Sequence, residues 1–165
     1  MRRKSSAQIL ADLEAKDDGL PTRPVGVWSL EKLAVLHLYL PAFTLACRDV
    51  PAYYVDGFSG PGVCTVRGSV AAPHVVWGSP LLALRTEPRF AQCLFMDLNE
   101  DNVSLLEQRV QPYSGRWLTA RGDANLDLSR FIGDNVPQWA PCFCLLDPEG
   151  MELQWESIRS IARAQ

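Results

Sequence analysis

Residues 52–62 read AYYVDGFSGPG, a short apolar run that ends on Asp56 and passes at once into closely spaced glycines. A strand followed by such a turn lets the backbone bend sharply and approach a bound ligand, because glycine has no Cβ to clash. Three further runs also close on an acid: QCLFMD (92–97), the more polar RWLTARGD (116–123) and CFCLLD (142–147). Helical segments lie between them. Ser79-Pro80 opens LLALRT, with proline where its missing N–H does no harm. Asn99 or Asp101 caps a helix with Val103, Leu106 and Val110 on one face, and Leu126, Leu128, Phe131 and Ile132 mark another. MELQWESIRSIARAQ (151–165) forms the last. Strands alternating with helices predict parallel βαβ units, and short apolar strands predict a sheet covered on both faces. The expected fold class is therefore α/β, a Rossmann-like doubly wound, mainly parallel sheet. Ligands bind such sheets at the carboxyl ends of the strands, so Asp56, Asp97, Asp123 and Asp147 are expected along one rim.

Upstream, SLEKLAVLHLYLPAFTLA (29–46) is dense in leucine, with Ser29 as the expected N-cap. Leu30, Leu33, Leu36 and Leu40 keep helical spacing, and Pro41 is expected to kink or end the helix. Residues 1–28 read as a lead-in: Ile9, Leu10 and Leu13 offer one face of a short helix before DDGLPTRP breaks the pattern. Residues 29–165 form the α/β domain. Its final helix carries no stop signal, and a fourth strand would leave an uncovered edge, so the expectation is the N-terminal part of a domain truncated after the fourth strand.

The chain has 165 residues, 47% hydrophobic and 21% charged, which excludes a disordered polymer. A net charge of −3 excludes a strongly basic nucleic-acid footprint over the chain as a whole. No apolar run approaches the ~20 residues of a membrane helix. MRRKSS is followed by AQILADLEAKDD, not by the apolar core of a signal peptide. Cys47, Cys64, Cys93, Cys142 and Cys144 are odd in number and scattered through apolar stretches, which points to reduced, buried thiols and a cytoplasmic location.

Each rim element has a functional and a plainer explanation. Gly57, Gly60 and Gly62 do not match GxGxxG, and VCTVRGSVAAPHVVW delays the helix that should follow, so the turn either meets a ligand or merely ends a strand. Asp97 either accepts the two hydroxyls of a ribose or helps cap the next helix. Asp123 either receives an adenine amino group or opens an Asx-turn. Asp147 is held extended by Pro148, and either accepts a hydrogen bond or proton from an amino group or stands solvated in a tight turn.

Other patterns fail on inspection. GFSGP has Pro61 where a nucleophile elbow needs glycine, and neither His37 nor His74 follows Asp147, which excludes a serine hydrolase of that type. Cys142-x-Cys144 lacks the remaining ligands of a zinc site. Trp28, Trp77, Trp117, Trp139 and Trp155 are expected mostly in packing, and Arg109, Arg116, Arg121 and Arg130 on a solvated face.

The ordered set YVDGFSGPG, GSPLLAL, FMDLNEDNVSLLEQRV, GDAN and LLDPEGMELQW, behind a Trp/Leu-rich helix, resembles class I S-adenosylmethionine-dependent methyltransferases over residues 28–165. More closely, it resembles the bacterial three-Cys-motif partner family, named for cysteines in a neighbouring partner protein. The resemblance implies S-adenosylmethionine as cofactor. Asp56, Gly57, Phe58, Gly60 and Gly62 would then face its methionine part, Asp97 its ribose, and Asp123 with Ala124 its adenine. Asp147 and Pro148 would stand beside an acceptor amino group, with a nucleobase in a nucleic acid as one candidate substrate. Glu149 departs from the aromatic residue found in related chains, and a glutamate cannot stack on a base. The alternative is a non-catalytic, methyltransferase-like protein that binds the three-Cys-motif partner.

Overall fold

The computed structural model describes residues 5–68, 75–113, 115–148 and 150–164. Glu149 and His74 lie outside them. In chain order the elements are α1 Ser6–Leu13, β1 Arg23–Val25, α2 Trp28–Ala46, β2 Tyr53–Asp56, β3 Val63–Val66, β4 Val75–Trp77 and α3 Ser79–Leu84, then β5 Gln92–Asp97, α4 Glu100–Val110, β6 Trp117–Arg121, α5 Leu128–Asn135, β7 Cys142–Leu145 and α6 Trp155–Arg163.

The main sheet runs β6-β5-β2-β7, and every neighbouring pair is parallel. Side chains on successive strand residues point to opposite faces, and two cores result. Tyr54, Cys93 and Phe95 pack with Leu36 and Leu40 of α2, Leu81 and Leu84 of α3, and Leu106 of α4. Val55, Leu94 and Met96 pack on the other face with Leu128 and Ile132 of α5 and Ile161 of α6. Helices thus cover both faces, as the apolar strands require. Counted from β2, the strand order is 3-2-1-4, and the direction of winding reverses between β2 and β7.

Several expectations change. Asp147 stands two residues beyond the end of β7, and the last helix begins only at Trp155. The delayed segment is not a bare insertion. β3 pairs parallel with β1 and antiparallel with β4, giving a second, three-stranded sheet that draws in the N-terminal segment. Leu13 in that segment is fully buried. Ser29 is not the cap of α2, which starts at Trp28 after Val27 without a side-chain cap. Nor does Pro41 stop it: α2 continues to Ala46, because burial of Leu36, Leu40 and Thr44 offsets the one backbone hydrogen bond that proline removes. Asn99 does cap α4, its Oδ1 accepting from the Asp101 N–H at 2.8 Å.

Candidate functional site

The glycine turn is laid across the ends of its neighbouring strands by its own amides. Gly57 N–H donates to Leu145 O of β7 at 3.1 Å, and Ser59 N–H to Met96 O of β5 at 3.0 Å. Phe58 N–H donates to Asp56 Oδ1 at 3.1 Å and Gly60 N–H to Asp97 Oδ2 at 2.7 Å. Four consecutive amides are therefore spent inside the protein, so the turn is no anion cradle. Gly62, at φ +87°, brings its carbonyl to Gly78 N–H at 2.8 Å, and a Cβ on Gly78 would fall 2.9 Å from that oxygen. Close backbone approach, not ligand contact, explains glycine at both positions. A Cβ on Gly57 would fall 2.8 Å from Leu128 Cδ2, which assigns that glycine to packing as well.

Asp56 is 1% exposed, beneath the turn. Besides Phe58 N–H it accepts from Tyr54 Oη at 3.2 Å. Burial pushes its carboxyl up to about 6, against the opposing hydrogen bonds from Ser79, Phe58 and Tyr54. Asp97, 8% exposed, accepts three N–H groups: Gly60 on Oδ2, and Asn99 N–H (2.9 Å) and Asn102 Nδ2 (3.1 Å) on Oδ1. A carboxylate has roughly four lone-pair sites, so one acceptor position remains. Asp123 accepts from Asn125 N–H at 2.8 Å, the Asx-turn geometry, and its own N–H donates to Asp127 at 2.9 Å. Ala124 is buried next to the Gly57 backbone.

Asp147 is different. It is exposed, and its Oδ1 receives Lys32 Nζ at 2.6 Å across 115 positions of sequence. Between α2 and the strand ends lies a cavity of about 380 Å³. Phe58, Ser59 and Gly60 of the turn form one wall, Leu145, Asp147 and Pro148 another, Trp28, Lys32, Leu33 and Leu36 of α2 a third, and Arg23 to Gly26 a fourth. Of the rim residues, the structure brings Phe58, Gly60, Asp147 and Pro148 to this cavity, while Asp56, Gly57, Gly62, Asp97, Asp123 and Ala124 stay outside its lining. The hydroxyl of Ser59, 5% exposed, has no hydrogen-bond partner among the described residues.

Arg109 holds the fourth wall in place and corrects its expected place on a solvated face. Its side chain is 3% exposed and binds Asp18 through Nε (2.7 Å) and an η nitrogen (2.9 Å). It also donates to the carbonyls of Pro61 (2.8 Å), Leu20 (3.2 Å) and Pro21 (3.1 Å). The guanidinium on Asp18 holds that carboxyl below its usual range. The Trp expectation also fails for Trp28, Trp139 and Trp155, each about two-thirds exposed. Sequence reasoning missed Arg23, Trp28 and Lys32 as cavity residues. The available signal was Lys32 itself, the one lysine after Lys16, set inside an otherwise leucine-rich stretch.

No family model matches the sequence, and no curated protein matches it. Solved structures do. A DUF519 protein of Legionella pneumophila aligns over 78% of this chain with a TM-score of 0.52 at 15% identity, with 59% of its own length covered. A "putative RNA methyltransferase" of Pyrococcus horikoshii aligns over 79% of this chain at 0.42 and 12% identity, with 54% of its length covered. The chain spans less than two thirds of either structure. The first likeness supports the fold, a mixed α/β domain on a parallel sheet. Among the described residues no helix is long and apolar enough to cross a membrane, and no cluster of His, Cys, Asp and Glu suits a metal ion.

Proposed function

We propose that this chain is an S-adenosylmethionine-dependent methyltransferase-like protein of the three-Cys-motif partner kind, acting on an amino group, with a nucleobase as the substrate class. The observation that carries this reading is the position of the cavity. It opens at the switch point between β2 and β7, where open α/β sheets bind ligands, with the glycine turn on one side and Asp147-Pro148 on the other. The lining suits a ligand both charged and apolar: Arg23 and Lys32 are cationic, Asp147 is anionic, and Leu33, Leu36 and Phe58 are apolar. Its volume lies within the usual range of about 300–1,000 Å³ for small-molecule sites.

The cofactor supplies the reactive methyl group on its sulfonium; the protein supplies position and electrostatics. Phe58 and Gly60 would flank its methionine part. Asp97 would offer its remaining acceptor position to the ribose, next to Asp123 and Ala124. Asp147, held extended by Pro148, would accept a hydrogen bond or proton from the acceptor nitrogen. Calorimetric titration of S-adenosylhomocysteine tests this, with circular dichroism as the folding control. The parent is expected to bind, and Leu33→Trp, which fills the cavity, to lose binding. A folded parent that does not bind overturns the reading.

One observation favours a second role, that of a non-catalytic partner of the three-Cys-motif protein. Opposite the buried stripe of α2, Val35, Leu38, Tyr39 and Leu45 are exposed. Sedimentation of the two proteins together at micromolar concentration tests it, and two independent species would defeat it.

A further inference from the structure

Trp28 stands at the rim of the cavity with 69% of its surface exposed, an unusual place for a tryptophan that contributes to a core. It is nevertheless held in place. A Cβ on Gly26 would fall 2.1 Å from Cζ3 of the indole, so the ring lies directly on the glycine backbone, and only glycine leaves room for it. Lys32 follows Trp28 by four residues on α2 and so sits one turn along the same helix face. The Lys32 ammonium in turn sits on Asp147. A fixed aromatic surface and an acceptor carboxylate therefore border one cavity, and a lysine on the tryptophan's helix donates N–H to that carboxylate.

We propose that Trp28 is the platform on which the ring of a nucleobase stacks, while its exocyclic amino group takes the place of the Lys32 ammonium beside Asp147. An amino group donates N–H to a carboxylate as the ammonium does, so the exchange leaves Asp147 satisfied. The displaced lysine and Arg23 both line the cavity and offer cations to a phosphate. The flat, sequence-tolerant surface of the indole suits any base and selects for a planar ring, not for an aliphatic amine. This inference rests on the methyl-transfer reading for its choice of an amino acceptor, but stacking is measured without the cofactor.

The test uses the whole chain at low salt with two probes, adenosine monophosphate and a mixed-sequence single-stranded RNA of about a dozen nucleotides. S-adenosylhomocysteine is titrated in parallel. The parent is expected to bind at least one probe. Trp28→Ala is expected to weaken that binding about fivefold or more, and Trp28→Phe to stay within about threefold of the parent. Circular dichroism confirms that all three fold. Binding of the mononucleotide identifies a free nucleotide as the source of the base, and binding of RNA alone identifies a strand. Equal probe affinity in Trp28→Ala and parent, or no probe binding by a folded parent, overturns the proposal. A folded parent that binds a probe but not S-adenosylhomocysteine removes the cofactor reading and leaves the platform standing.

Discussion

The two halves of the strand rim are built from the same residue types and behave in opposite ways. On the β5–β6 side, Asp97 and Asp123 are occupied by the protein's own donors: Asp97 holds the Gly60 and Asn99 amides and the Asn102 side chain, and Asp123 closes an Asx-turn. On the β7 side, Asp147 is exposed, and a mobile-stemmed lysine is its partner. The first half locks the glycine turn to the sheet; the second leaves a cavity with a displaceable charge. A carboxylate at a strand end is thus no sign of a ligand until its donors are counted.

The largest expected effect breaks the wall that the two halves share. Arg109→Ala strips Asp18 and three carbonyls of a buried guanidinium, and should cost about 4 kcal/mol in urea unfolding. A loss below about 1 kcal/mol would show that the N-terminal segment docks without this clamp.

Next comes Asp56, beneath the turn between the halves. Its carboxyl is raised in the folded state, so the folded protein holds that proton more tightly than the unfolded chain. The resulting stability is present in full below about pH 4 and is lost as pH rises through about 6, a decline of up to about 3 kcal/mol. Asp18 is shifted the other way: its contribution is present above the usual carboxylate range and fades as pH falls below it. Denaturation midpoints measured across this window should slope downward in the parent and flatten in Asp56→Asn. A parent profile already flat between pH 4 and 7 would contradict the burial argument.

The smallest effects sharpen the comparison itself. Asp97→Asn leaves an amide nitrogen facing a backbone donor and should cost about 2 kcal/mol. Asp147→Asn, on an exposed pair, should stay within about 0.5 kcal/mol. Equal costs, measured by thermal and urea unfolding, would erase the distinction drawn between the two sides.

The parallel sheet was readable because its signals are local. QCLFMD alternates inward residues between two cores and ends at Asp97 as written, and Asn99 lies where a cap belongs. The second sheet was not readable. Arg23–Val25 is three residues long with proline in the middle, and nothing within it announces Cys64–Val66 as its partner. The rim was half readable for the same reason. Sequence places the carboxylates, but Gly60, the donor that occupies Asp97, arrives from 37 positions away, and Lys32 reaches Asp147 across 115. Pro41 does not end α2 because propensity is local and the burial that overrides it is not.

The pairing of β1 with β3 also sets an order in time. Residues 23–25 leave the ribosome well before residues 64–66, and a parallel partner cannot be met until the intervening chain has been made and turned back. The wall that carries Arg23 and Gly26 must therefore wait, unpaired, while α2 and β2 are synthesised. Arg109, which fastens the preceding segment, is translated later still. The cavity is begun at Arg23 and can be closed only once Asp147 and Pro148 have been translated.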